Sequence, residues 1–125
     1  MQINNLTGQI VDAAMKVHSV LGPGLLEAAY QACLAHELAK RGVAIQREVL
    51  VPVRYDGIVL GVAYRIDLLV EESVVVEIKS VAKIVQIHEG QLLSQLKLGD
   101  YRVGLLINFN VVHLKHGIIR KVHRL

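Results

Sequence analysis

The strongest constraint on this chain lies in residues 64–80. Two runs rich in β-branched residues, Tyr64-Arg65-Ile66-Asp67-Leu68-Leu69-Val70 and Val74-Val75-Val76-Glu77-Ile78-Lys79-Ser80, flank Glu71-Glu72-Ser73. Apolar runs of this length around three polar residues read as a β-hairpin with a short loop. If the loop is Glu71-Glu72-Ser73, Val70 faces Val74, Asp67 stands opposite Glu77, and Arg65 stands opposite Lys79. Glu77 and Lys79 are two apart on one strand and so share a face. Directly opposed side chains have Cβ atoms roughly 4.5–5.5 Å apart. Two carboxylates and an ammonium therefore converge on one face of an otherwise apolar hairpin.

Two readings compete. In the first, Lys79 compensates the acids on a solvated sheet face, the usual situation of charged residues on strands. Against it, like charges across a ladder are destabilising, and one lysine neutralises only one acid. A divalent cation resolves the excess, because Mg²⁺ and Mn²⁺ favour carboxylate oxygens. Asp67, nine intervening residues and then Glu77-Ile78-Lys79 also resembles the PD-(D/E)xK nuclease signature, with Ile66 at the position of its proline.

Length and composition fit that direction. A chain of 125 residues is expected to form one domain, residues 1–125, burying roughly two-thirds of its unfolded surface. Hydrophobic residues make up 53% and mean hydropathy is +0.43. No apolar run approaches the ~20 residues needed to span a bilayer, so the surplus is expected in a core and a homodimer interface rather than a membrane. The N-terminal residues have no signal-peptide core. The single Cys33 cannot form an internal disulfide and reads as a buried structural thiol, so the expected location is cytoplasmic. A net charge of +3 is compatible with a polyanionic partner. Aromatics are only 4%, which argues against extensive base stacking. The six histidines lack zinc-ligand spacing.

Along the chain, Leu6, Ile10, Ala13, Ala14, Val17 and Leu21 recur at helical spacing over residues 5–21, with Asn4 or Asn5 as a cap. Gly22-Pro23-Gly24 breaks this helix. A second helix runs to about Lys40 with Leu26, Tyr30, Cys33, Leu34 and Leu38 on its apolar stripe; Glu27 falls in its first turn, where the helix dipole alone favours an acid. Residues 43–55 read as a strand, Asp56-Gly57 as a hairpin turn, and residues 58–70 as the returning strand, with a bulge site at Gly61-Val62-Ala63. A third helix covers about residues 88–98, with Gln91 and Gln95 four apart on one side. Residues 101–109 form an apolar strand, and residues 111–114 and 118–122 a terminal hairpin. Arg120, Lys121 and Arg124 give a basic tail that suits either a solvated hairpin or phosphate contacts.

Gly22-Pro23-Gly24-Leu25-Leu26-Glu27-Ala28-Ala29-Tyr30, with Val17-His18, Tyr64-Arg65 and His88-Glu89-Gly90-Gln91-Leu92-Leu93, resembles the GxxExxY proteins, a branch of the PD-(D/E)xK superfamily. The resemblance covers nearly the whole chain. It implies an α/β (α+β) restriction-endonuclease-like fold, with an α-β-β-β-α-β core, an extra N-terminal helix and a C-terminal β-hairpin. It also implies site roles: Glu27, Asp67 and Glu77 as ligands of Mg²⁺ or Mn²⁺, Lys79 orienting or activating the attacking water, and Gln91 approaching from its helix. Gln95 stands where related nucleases carry a tyrosine. The function implied is metal-dependent hydrolysis of phosphodiester bonds in nucleic acid, with DNA the expected substrate. The alternative is a nuclease-fold module kept for nucleic-acid binding or oligomerisation, with little turnover.

Overall fold

The computed structural model describes residues 2–125. The elements run α1 (Ile3–Leu21), α2 (Glu27–Lys40), β1 (Ile45–Tyr55), β2 (Ile58–Val70), β3 (Val74–Lys79), α3 (Gln86–Gly99), β4 (Val103–Asn108), a 3₁₀ turn (Leu114–Gly117) and β5 (Ile118–Val122). The five strands form one sheet in chain order. All neighbours are antiparallel except β3 and β4, which are parallel and are joined by α3. A parallel pair needs such a crossover, because the chain must return to the sheet's other end.

The sheet is covered on both faces. On one, Leu68, Val70, Val74, Val76 and Ile78 pack with Leu6, Ile10, Leu34 and Leu38 of α1 and α2. On the other, Leu69, Val75 and Leu106 pack with Leu92 and Leu96 of α3. Strands buried on both faces cannot alternate apolar and polar residues. This is why Val74–Val76 of β3 and Val103–Ile107 of β4 carry no polar side chain. Beneath α2, Tyr30 stacks on Phe109 with ring centroids 4.5 Å apart and planes 8° from parallel.

The architecture is the restriction-endonuclease-like one expected, with several local differences. The cap of α1 is Gln2, without a side-chain bond, and Asn4 instead accepts a bond from Arg120 at 3.0 Å. Leu26 is 81% exposed because it precedes the first turn of α2 and does not lie on its packed stripe. Residues 111–113 form no strand; β5 pairs with β4 itself across the 3₁₀ turn. The bulge falls where the glycine is: Pro52 pairs with Ala63 but Arg54 with Val59, so β2 carries the extra residues around Gly61. The basic tail is occupied by surface pairs, Lys121 with Glu89 at 2.8 Å and Arg124 with Asp100 at 3.6 Å. That supports the solvated reading of this hairpin.

Candidate active site

The register that brings the acids together is set by the β2–β3 turn. Glu71 and Glu72 both adopt left-handed backbone, with φ of 51° and 54°, the geometry that matches the twist of a tight hairpin. Val70, Leu69 and Leu68 then pair with Val74, Val75 and Val76. The ladder stops there, one residue short of Asp67. The Asp67 carboxylate takes over from the backbone and accepts the Ile78 N–H at 2.8 Å.

The same point breaks the other side of β2. Arg47 pairs with Leu68 and Val49 with Ile66, but no pair joins Glu48 to Asp67. Glu48 has a φ of 56°. Across this break the faces exchange: Leu68 lies in the α1/α2 core, whereas Ile66, two residues away, lies in the α3 core. Strict alternation would keep both on one side. Arg65 consequently pairs with Leu50 in β1 and stands 3.8 Å from Glu48. The expected opposition of Arg65 and Lys79 does not form, because β2 has left β3 before reaching it.

Asp67 and Glu77 do meet, and both are 8% exposed. Burial pushes the Glu77 carboxyl up to about 8, and the hydrogen bond and charge of Asp67 push the same way; Gln95 and Lys79 pull it down. Two carboxylates cannot both ionise at such close range in a dry site without a compensating cation. Lys79 is half-buried on the Glu77 face, near enough to act on Glu77 but not to neutralise the pair.

Glu27 arrives from α2 through a built loop. Gly22 and Gly24 have φ of 68° and 100°, backbone that side-chain-bearing residues rarely adopt. The Tyr30 hydroxyl locks this loop, donating to the Gly22 carbonyl at 2.6 Å and accepting the Leu25 N–H at 3.1 Å. Glu27 thus opens α2 over the end of β3, where its Oε1 accepts the Ser80 N–H at 3.3 Å. Ile78 and Ser80 are two residues apart, roughly 6.5–7 Å along a strand, so Glu27 sits at the rim of the Asp67–Glu77 pair. Among the described residues, no group of three His, Cys, Asp or Glu side chains stands close enough to hold a metal ion. Tyr30→Phe removes both latch bonds and is expected to cost about 1–3 kcal/mol in urea unfolding, since Tyr30 is fully buried.

The glutamines exchange expected prominence. Gln91 is exposed on α3, whereas Gln95, one turn on, donates Nε2 to Glu77 Oε2 at 2.8 Å. Gln95 Oε1 is buried without a partner. Such an orphan acceptor is costly beside two acids, and it adds a third oxygen to a place already short of positive charge. The donor chemistry, two buried carboxylates and an amide oxygen, fits a hard divalent cation. His88 is a cap: its Nδ1 accepts the Val85 N–H at 3.1 Å.

Two supports escaped sequence reasoning. Gln31, one turn after Glu27, donates to the Asp67 carbonyl at 3.2 Å. Asn108, 1% exposed, accepts the Val81 N–H at 3.1 Å and donates to its carbonyl at 3.0 Å, fixing the chain just past Lys79. The one available signal was Gln31, a polar residue four positions from Glu27 on a helix otherwise read by its apolar stripe.

The chain matches the family model described as the PD-(D/E)XK nuclease superfamily over residues 4–121. No curated protein and no solved structure matches it. No helix of the described residues is long and apolar enough to cross a membrane.

Proposed function

Because the chain belongs to the PD-(D/E)XK nuclease superfamily, we propose that it is a Mg²⁺- or Mn²⁺-dependent nuclease of the GxxExxY branch, a cytoplasmic homodimer that hydrolyses phosphodiester bonds in DNA. One observation carries this reading: Asp67 and Glu77 are buried against each other at the place where β2 peels from β3. An arrangement that unfavourable has a reason if a cation compensates it. Asp67 and Glu77 would hold the ion, with Glu27 reaching in from the rim. When bound, a divalent ion supplies Lewis acidity and lowers the pKa of water.

The chain's own groups do the rest. The Ile78 N–H fixes Asp67, and Gln95 fixes Glu77. Lys79 extends on the Glu77 face, where its ammonium can orient the attacking water or a phosphate oxygen. Gln91, exposed a turn from Gln95, is free to meet the substrate from the helix side.

The absence of a ready three-ligand cluster among the described residues favours a second reading, a nuclease-fold module that binds nucleic acid with little turnover. Incubating the purified protein with single- and double-stranded DNA and RNA, in Mn²⁺, Mg²⁺ or chelator, separates the two. Metal-dependent cleavage of DNA that stops in chelator is the expected result. Binding without cleavage under every condition would favour the module.

A further inference from the structure

The β1–β2 hairpin continues past the covered part of the sheet. Val51 and Ile66 are buried against α3, but every residue from Ile58 to Arg65 is exposed. Tyr55 is 74% exposed, Leu50 66%, Val62 60%, Ile58 59% and Val59 50%. A two-stranded hairpin solvated on both faces is at best marginally stable in water. Here the exposed side chains are the apolar ones, opposite to what a solvated arm requires.

We propose that residues 49–64 form a dimerisation arm whose occupant is the arm of a second copy of this chain. Area supports that occupant. The large apolar side chains that the arm presents to solvent are 40–74% exposed, a contiguous apolar surface of the kind that a stable interface covers. Charge supports it as well. Residues 49–64 contain one cation, Arg54, and one anion, Asp56, in a protein of net charge +3. An arm whose one cation is balanced by one anion has little with which to neutralise phosphates, yet it meets an identical arm without net repulsion. A two-fold arrangement is the usual way for one patch to satisfy itself.

The contact is through faces, not edges. β1 is an edge strand of the sheet, and Pro52 in its middle has no N–H to offer a further strand. Lengthening the sheet across β1 is thus disfavoured, whereas packing Tyr55, Ile58 and Val62 against their counterparts needs no backbone donor. This interface is independent of whether the carboxylate site is catalytic.

Sedimentation equilibrium on the full chain at tens of micromolar tests the proposal. Wild type is expected at twice the chain mass, and the double variant Tyr55→Glu/Ile58→Glu at the chain mass, with a dissociation constant raised at least about a hundredfold. Val122→Lys, at the opposite edge on β5, should remain dimeric. Should the double variant lose its circular dichroism spectrum, Val62→Lys alone reads the same contact. A monomeric wild type, or an arm variant that still dimerises, would overturn the proposal. So would loss of DNA binding by the arm variant with mass unchanged, since the arm would then serve nucleic acid.

Discussion

Glu77→Ala, Asp67→Ala and Lys79→Ala are each expected to lower DNA cleavage by about a hundredfold or more while the protein stays folded. The size follows from what each removes: an anionic ligand from the acid pair, or a charge beside the reacting phosphate, either of which is typically worth orders of magnitude in rate. The folds should survive for different reasons. Lys79 is half-buried and near the end of β3. Removing Glu77 takes away a carboxyl that burial and Asp67 already push toward its neutral form, and costs Asp67 and Gln95 one partner each. Asp67→Ala is the most damaging to stability, because it strips the Ile78 N–H of its acceptor, a loss of about 1–3 kcal/mol. Asp67→Asn keeps an acceptor oxygen there and separates the two effects. A rate within a fewfold of wild type for all three alanine variants would remove the acids and Lys79 from catalysis.

In chelator, the protein should become less stable as pH rises from about 5 to 9. Glu77 has its carboxyl pushed up to about 8 in the fold, from an ordinary value of 4.5. Between those values the native state holds a proton that the unfolded chain has released. The linkage slope is therefore negative: the contribution is complete below 4.5 and is lost as pH climbs through 8. Each pH unit between the two values is worth about 1.4 kcal/mol, so the total is on the order of 3–5 kcal/mol. Glu77→Gln should flatten most of this dependence, because the amide keeps its neutrality throughout. Urea unfolding at several pH values in chelator reads it directly. A wild-type profile that stays flat between pH 5 and 9 would mean that Glu77 is ionised and solvated in the fold.

What the sequence made legible was local. The meeting of Asp67 and Glu77 followed from three loop residues and the two-residue period of a strand, because turn length fixes register over the few pairs that follow. It failed two residues further on, at Arg65, where Glu48 adopts left-handed backbone with no glycine or asparagine to announce it. Tyr30 could be placed on the apolar side of a helix, but its latch on Gly22 depends on a loop conformation that spacing does not encode. Gln95 and Gln31 were visible as polar residues; which acid each would touch depends on how α3 and α2 cross the sheet. The arm was least legible. Apolar residues on strands read as core, and only the packing shows that α3 ends before Tyr55 and Ile58 are covered.

Thermal unfolding at pH 8 with and without Mn²⁺ tests most directly whether the buried Asp67–Glu77 pair binds a divalent cation. Wild type should melt higher in Mn²⁺, by the equivalent of about 2.7 kcal/mol at a hundredfold excess over the dissociation constant. Asp67→Asn/Glu77→Gln, which has no anionic ligand left in the pair, should melt at the same temperature in Mn²⁺ and in chelator. An unchanged melting temperature for wild type, or an equal shift in both proteins, would mean that the pair binds none.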